Sequence, residues 1–102
     1  MSEVLILITT ESNEKKAKNI AKLLIENKLA ACVSLKYINS IYKWEDEIEE
    51  TKEIEITIKS KPELMDDLIS FLQKMISYDV PQIVYKKFQA DEKYFDWLNK
   101  II

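Results

Sequence analysis

Three rhythms of apolar and polar positions follow one another along this chain, and each predicts a type of element. Val4-Leu5-Ile6-Leu7-Ile8 is an unbroken apolar run, the pattern of an interior strand covered on both faces, and it predicts a central strand. Ala17, Ile20, Ala21, Leu24 and the methylene stem of Lys28 then recur at helical spacing, with Ser12 placed to cap the helix and its end near Asn27. From Ala30 to Trp44 the chain reads as a strand, Glu45 to Glu47 as a turn, and Ile48 to Ser60 as the partner strand. In that partner Ile54, Ile56 and Ile58 alternate with Glu53, Glu55, Thr57 and Lys59, the period of a strand wet on one side. Ser60-Lys61-Pro62-Glu63 has the form of a capping box and opens a second helix with Leu64, Leu68, Phe71, Leu72 and Met75 on one face. Tyr78-Asp79-Val80-Pro81 reads as a turn and Ile83 to Phe88 as a fourth strand. Asp91 caps a short last helix carrying Tyr94, Trp97, Leu98 and Ile101.

The order strand, helix, strand, strand, helix, strand is the split βαβ arrangement of a ferredoxin-like domain, here with an added C-terminal helix. The expected fold is therefore α+β, a βαββαβ sandwich over a single domain of residues 1–102. Its unusual part is the ribbon. The 15 residues from Ala30 to Trp44 span roughly 50 Å as a strand, whereas a compact domain of this length is only about 35 Å across. The ribbon overruns its own globule, so its aromatic tip, Tyr42 and Trp44, must bend back, sit exposed or pack against another copy. Both helices of such a fold cover one sheet face. The apolar first strand asks for a partner on the other face, while the alternating third strand asks for water. A trimer whose sheets meet around a partly polar interior reconciles the two. The second strand also changes phase, from Ala31, Val33, Leu35 and Tyr37 to Ile38, Tyr42 and Trp44, which predicts a bulge at Ile38-Asn39-Ser40. Its far half is expected to pair with another subunit and so dispose of an exposed edge.

Composition narrows the chemistry. Eighteen acids against fifteen bases give a net charge of −3, with no electrostatic reason to bind phosphate backbones, so nucleic acid is not an expected partner. The chain contains no Gly, no His and no Arg. Gly-rich phosphate loops, His-based triads, His metal sites and guanidinium clamps are all unavailable to it. No run of 18 apolar residues and no signal-like N-terminus is present, so no membrane association is expected and the cytoplasm is the expected compartment. The single Cys32 fits a reducing compartment.

Each candidate site residue has two readings. Cys32 is either a copper(I) ligand or a small core hydrophobe. Glu49, Glu50 and Glu53 either hold a hard cation together with neighbouring carboxylates or are solvated strand charges paired with Lys36 or Lys43. Tyr42 and Trp44 either line a ligand pocket between subunits or pack an interface. Tyr78 and Asp79, beside Pro81, either contact a ligand or build a turn.

Five segments in order carry a resemblance: Leu29-Ala30-Ala31-Cys32, Ser40-x-Tyr42-x-Trp44, Ile48-Glu49-Glu50-x-x-Glu53, Tyr78-x-x-Pro81 and Tyr94-x-x-Trp97-Leu98. Together they resemble the CutA divalent-cation tolerance family over essentially the whole chain. The resemblance implies a ferredoxin-like homotrimer, strand pairing between subunits through the ribbon, binding of copper and other divalent ions, and no established catalytic reaction. The chain departs from the family at instructive places. Asp46 stands where many members have Gly, so the ribbon turn must use a conformation that Asp tolerates. Ile76 and Ser77 stand where many have His-Pro. The positions matching the Cys and His that resemble copper ligands in some bacterial members are Thr9, Met75 and Ile76: a hydroxyl, a thioether and a hydrocarbon. The family's soft-metal site is therefore not expected here.

The leading expectation is a non-enzymatic homotrimer of CutA type, associated with divalent metal tolerance, acting through weak divalent-ion binding (copper or zinc, with no cofactor required) or through partner binding. The alternative is a sensor similar to the PII signal-transduction trimers, with an effector held in an intersubunit cleft beside Trp44 and Tyr78. An enzyme using a carboxylate with Lys or Tyr as acid and base is a third possibility, and no pair at a telling spacing announces it.

Overall fold

The computed structural model describes residues 2–102. The elements run β1 (Glu3–Glu11), α1 (Glu14–Glu26), β2 (Cys32–Trp44), β3 (Glu47–Ser60), a 3-10 turn (Pro62–Leu64), α2 (Met65–Met75), β4 (Val84–Gln89) and α3 (Glu92–Ile101). The four strands form one antiparallel sheet in the order β2-β3-β1-β4. The apolar run Val4–Ile8 thus lies in an interior strand, as its pattern predicts. This is the ferredoxin-like α+β sandwich with a C-terminal helix.

The core lies between the sheet and the first two helices. Leu5 and Leu7 of β1 and Ile54, Ile56 and Ile58 of β3 meet Ala17, Ile20 and Leu24 of α1 and Leu68 and Leu72 of α2, all buried. Burying so many branched side chains, each contributing about 1.5–3 kcal/mol, fixes which face of each strand turns inward. The other sheet face is only partly covered: Ile6 and Ile8 are half-buried, and Val84 and Phe88 are exposed.

The ribbon projects as its length requires. The molecule measures 46 × 24 × 22 Å, and every residue from Ile41 to Glu50 is exposed. Beyond Glu11, which pairs with Ile54, β1 stops, and the ribbon continues as two strands alone. The expected bulge at Ile38-Asn39-Ser40 is absent. The β2–β3 register runs unbroken from Cys32 opposite Lys59 to Trp44 opposite Glu47, through Ile38–Glu53, Asn39–Lys52 and Ser40–Thr51. The change of phase has another cause: Val33 and Leu35 pack under the helices, whereas beyond Tyr37 no helix covers that face, so the apolar side chains move to the opposite one.

Turns and caps refine the sequence reading. The ribbon turn is the two-residue pair Glu45-Asp46, with φ of 50° and 66°, and Glu47 already belongs to β3. Two consecutive positive φ values match a type I′ hairpin, and Asp is among the residues that tolerate it. Asn13 caps α1 by accepting from the Lys16 N–H; Ser12, the expected cap, sits one residue early and bonds Glu11 instead. The Ser60 box does not form either, because the Ser60 hydroxyl donates to the Leu29 carbonyl at 2.7 Å, and Pro62–Leu64 make a 3-10 turn with no side-chain cap. Asp91 does cap α3, accepting from the N–H groups of Lys93 and Tyr94. Leu98 of that helix is buried, while Trp97 remains 44% exposed. The Lys61 ammonium donates to the Ile102 carbonyl at 2.7 Å, tying the end of α3 to the end of β3.

Candidate functional site

The site is built where β1 ends and the ribbon begins. The segment leaving α2 crosses this point, and a buried carboxylate holds it there. Glu11, fully buried, accepts from the Asn13 N–H at 3.0 Å and from the Ser77 N–H at 2.9 Å, and the Lys16 ammonium bonds the Ser77 hydroxyl at 3.1 Å. The start of α1 and the exit from α2 are thereby fastened to one side chain. Burial acts to raise the Glu11 pKa, but the two backbone donors, the Ser77 side chain and the Lys16 charge outweigh it and hold the carboxyl below its ordinary value.

With Ser77 fixed, Tyr78 reaches β3. Its hydroxyl donates to the Glu53 carboxylate at 2.7 Å, and Glu53 is only 9% exposed. Burial, and then the hydrogen bond and charge of Glu53, push the Tyr78 pKa far above that of an ordinary phenol, so Tyr78 stays a neutral donor. Around this pair opens a cleft of about 580 Å³, walled on the ribbon side by Tyr42 and Trp44 and on the loop side by Asp79 and Val80. Thr10 and Ser40 add hydroxyls to its lining. Among the described residues no basic side chain lines it.

Of the residues singled out from sequence, Tyr42, Trp44, Glu53, Tyr78 and Asp79 converge on this cleft. Glu49 does not line it; it stands opposite Tyr42 in the ribbon register and is exposed. Cys32 lies at the far end of β2, half-buried and free, opposite Lys59 and beside Tyr94. Glu11 escaped the sequence reading. An acid closing an apolar run was its only local mark, and its partner Ser77 is 66 residues away.

Of the positions that the sequence resemblance matches to metal ligands, Thr9 and Ile76 offer no soft donor. Thr9 is fully buried, its hydroxyl without a hydrogen-bond partner, and Ile76 is part of the apolar core. Thr9 pairs with Ile56 on the helix-covered face of the sheet, whereas Glu53, three residues before Ile56, projects from the opposite face, so the two do not converge within one protomer. Among the described residues no group of three or more Cys, Asp or Glu could hold a metal ion.

Sheet order, projecting ribbon and cleft define a ferredoxin-like domain with an extended β2–β3 hairpin, and comparison with known proteins places it further. The model of the CutA1 divalent ion tolerance protein family matches residues 4–101, and the chain belongs to that family. It is 35% identical over 100 residues to the divalent-cation tolerance protein CutA of Thermus thermophilus, covering 96% of each chain. It is 36% identical over 91 residues to protein CutA of Mus musculus, covering 87% of this chain but 51% of that protein, so it spans about half the mouse relative's length. The solved structure described as the periplasmic divalent cation tolerance protein CutA from Archaeoglobus fulgidus superposes with a TM-score of 0.92 at 29% identity, covering 96% of this chain and 97% of that one. No helix among the described residues is long and apolar enough to cross a membrane.

Proposed function

We propose that this chain works as a non-enzymatic homotrimer in divalent-cation tolerance, assembled through its ribbon, and that it acts by weak divalent-ion binding or by binding a partner rather than through a soft-metal centre. One observation carries the reading: the ribbon ends in exposed apolar side chains, with Ile41 at 70% and Trp44 at 44% exposure on β2, an unpaired sheet edge, and Ile48 at 80% on the facing strand β3. Such an edge is a template for pairing, and burying it against a neighbour removes both the open hydrogen-bonding groups and the apolar surface. The half-open face of β1 and β4 gives a second surface for the same assembly. Membership of the tolerance family supports the metal-related role. The hydroxyl at Thr9 and the hydrocarbon at Ile76, which leave the Met75 thioether as the one soft donor of the three, argue against copper or zinc as a resident ion. The free Cys32 supports a cytoplasmic setting, although the Archaeoglobus relative is described as periplasmic; cell fractionation distinguishes them.

Light scattering on the purified protein tests the assembly. A trimer is expected, and Trp44→Ala is expected to shift it toward smaller species, since truncating a buried aromatic costs about 3–5 kcal/mol. A wild-type monomer, or a trimer unmoved by the substitution, contradicts the role given to the ribbon tip. The cleft favours a second reading, a trimeric sensor with an effector bound beside Trp44 and Tyr78, because its volume lies within the range of about 300–1,000 Å³ typical of small-molecule sites.

A further inference from the structure

We propose that the cleft between the ribbon and the α2–β4 loop takes a small organic cation, an alkylammonium or amine of the size of putrescine or tetramethylammonium, with Glu53 as counter-ion. The proposal rests on the sensor reading of this cleft, whose lining residues all belong to one protomer.

Glu53 is nine-tenths buried, and among the described residues no ammonium pairs with its carboxyl group. Among the described residues its carboxylate accepts one hydrogen bond, from the neutral Tyr78 hydroxyl, and the only ion pair is Lys18–Glu14, on the exposed surface of α1. A buried carboxylate is costly unless paired, so a cation entering the cleft meets a site already short of positive charge. Asp79, on the exposed loop opposite, adds a second negative group to the lining.

The remaining walls select the kind of cation. A divalent metal asks for several convergent oxygen, nitrogen or sulfur ligands. Among the described residues Glu53 and Asp79 are the only carboxylates in the lining, with no thiol or imidazole beside them. Trp44 and Tyr42 offer aromatic surface, which attracts an ammonium by its quadrupole and gains little from a hydrated metal. One buried anion, one peripheral anion and two aromatic side chains suit an alkylammonium better than either a metal or an anionic metabolite. A nucleotide is disfavoured on the same ground, since among the described residues no basic side chain lines the cleft.

Titration calorimetry with putrescine and with tetramethylammonium chloride, at matched ionic strength, tests this on the full chain. Saturable binding at millimolar concentration or tighter is expected, about tenfold weaker in Glu53→Gln, which keeps an acceptor for Tyr78 while removing the charge. Asp79→Asn, on the exposed loop, is expected to weaken binding less and leaves the fold intact. Binding unaffected by both substitutions overturns the assignment of the site, and absence of saturable heat with either ammonium overturns the proposal outright. Saturable binding of magnesium or zinc with none of the ammonium ions replaces it with a metal site. Light scattering on the same samples separates this result from the assembly: a trimer that binds no ammonium leaves the homotrimer standing, and a monomer that binds one leaves the cleft standing.

Discussion

The Tyr78 hydroxyl lies 2.7 Å from the Glu53 carboxylate, joining the loop after α2 to the base of the ribbon across 25 residues of sequence. The bond ties the two structures that wall the cleft. It also gives a buried anion its one neutral donor, so the cleft's shape and its electrostatics depend on the same contact. Glu11 acts one step earlier, fixing Ser77 so that Tyr78 can reach.

Tyr78→Phe is expected to destabilise the protein by about 1–3 kcal/mol, the cost of leaving a buried acceptor without its donor. Urea unfolding measures it. The pH dependence follows from the raised Tyr78 pKa. A group whose folded pKa lies above its unfolded value of 10.0 contributes stability that is complete below that value and is lost as pH rises beyond it. The wild type should therefore lose this contribution above about pH 10, and Tyr78→Phe should lack that part of the loss. In a phenolate absorbance titration the mutant should miss the latest step; a titration identical to the wild type would remove the special environment assigned to Tyr78.

Glu11 has the opposite sign. Its folded pKa is held below the ordinary 4.5, so its contribution is present above that value and is lost as pH falls through the lowered pKa. Glu11→Gln should lower stability near neutrality by about 1–3 kcal/mol, because charge-assisted bonds to backbone N–H groups are weakened. The gap between mutant and wild type should narrow on acidification. A gap constant from pH 6 to pH 3 would mean that Glu11 contributes through packing and not through its charge.

Three positive-φ positions are occupied without glycine: Lys28 at 57°, just past α1, and Glu45 and Asp46 in the ribbon turn. Lys28 sits where the helix end is closed by the Leu29 N–H reaching back to the Leu24 carbonyl, a position usually given to glycine. Lys28→Gly is expected to stabilise by about 1 kcal/mol, the approximate strain of a side chain in the left-handed region. Replacing Glu45-Asp46 by Asn-Gly should act in the same direction. Thermal unfolding reads both, and a fall in melting temperature would refute the strain argument.

Thr9→Val tests the buried hydroxyl. The Thr9 side chain is enclosed by the core with its oxygen unpartnered, and removing such a group for an apolar one of the same shape is expected to gain about 1 kcal/mol. A loss of stability would reveal a partner for that hydroxyl in the assembled protein.

The sequence made the ribbon's overrun legible because chain length and strand rise are simple arithmetic, and it made β1 central because an apolar run has no other comfortable place. The phase change in β2 was visible but misread. Period-two patterns report which face is covered, and the cover here ends beyond Tyr37 without any break in register. Ser12 and Asn13 have equally good capping side chains, so local chemistry alone did not choose between them. Both Glu53 and Tyr78 stood out in the sequence, yet nothing local says that they meet. The Glu11 latch was hidden for the same reason, since its second donor arrives from the other half of the chain.

Native mass spectrometry, without metal and then with copper(I), copper(II), zinc and magnesium, tests the central claim most directly. A trimer of the 12.1 kDa chain that stays free of stoichiometric copper or zinc is the predicted result. A monomer, or a trimer that takes up copper or zinc in threes, would contradict it; the first would remove the ribbon's role in assembly, and the second would restore a soft-metal site.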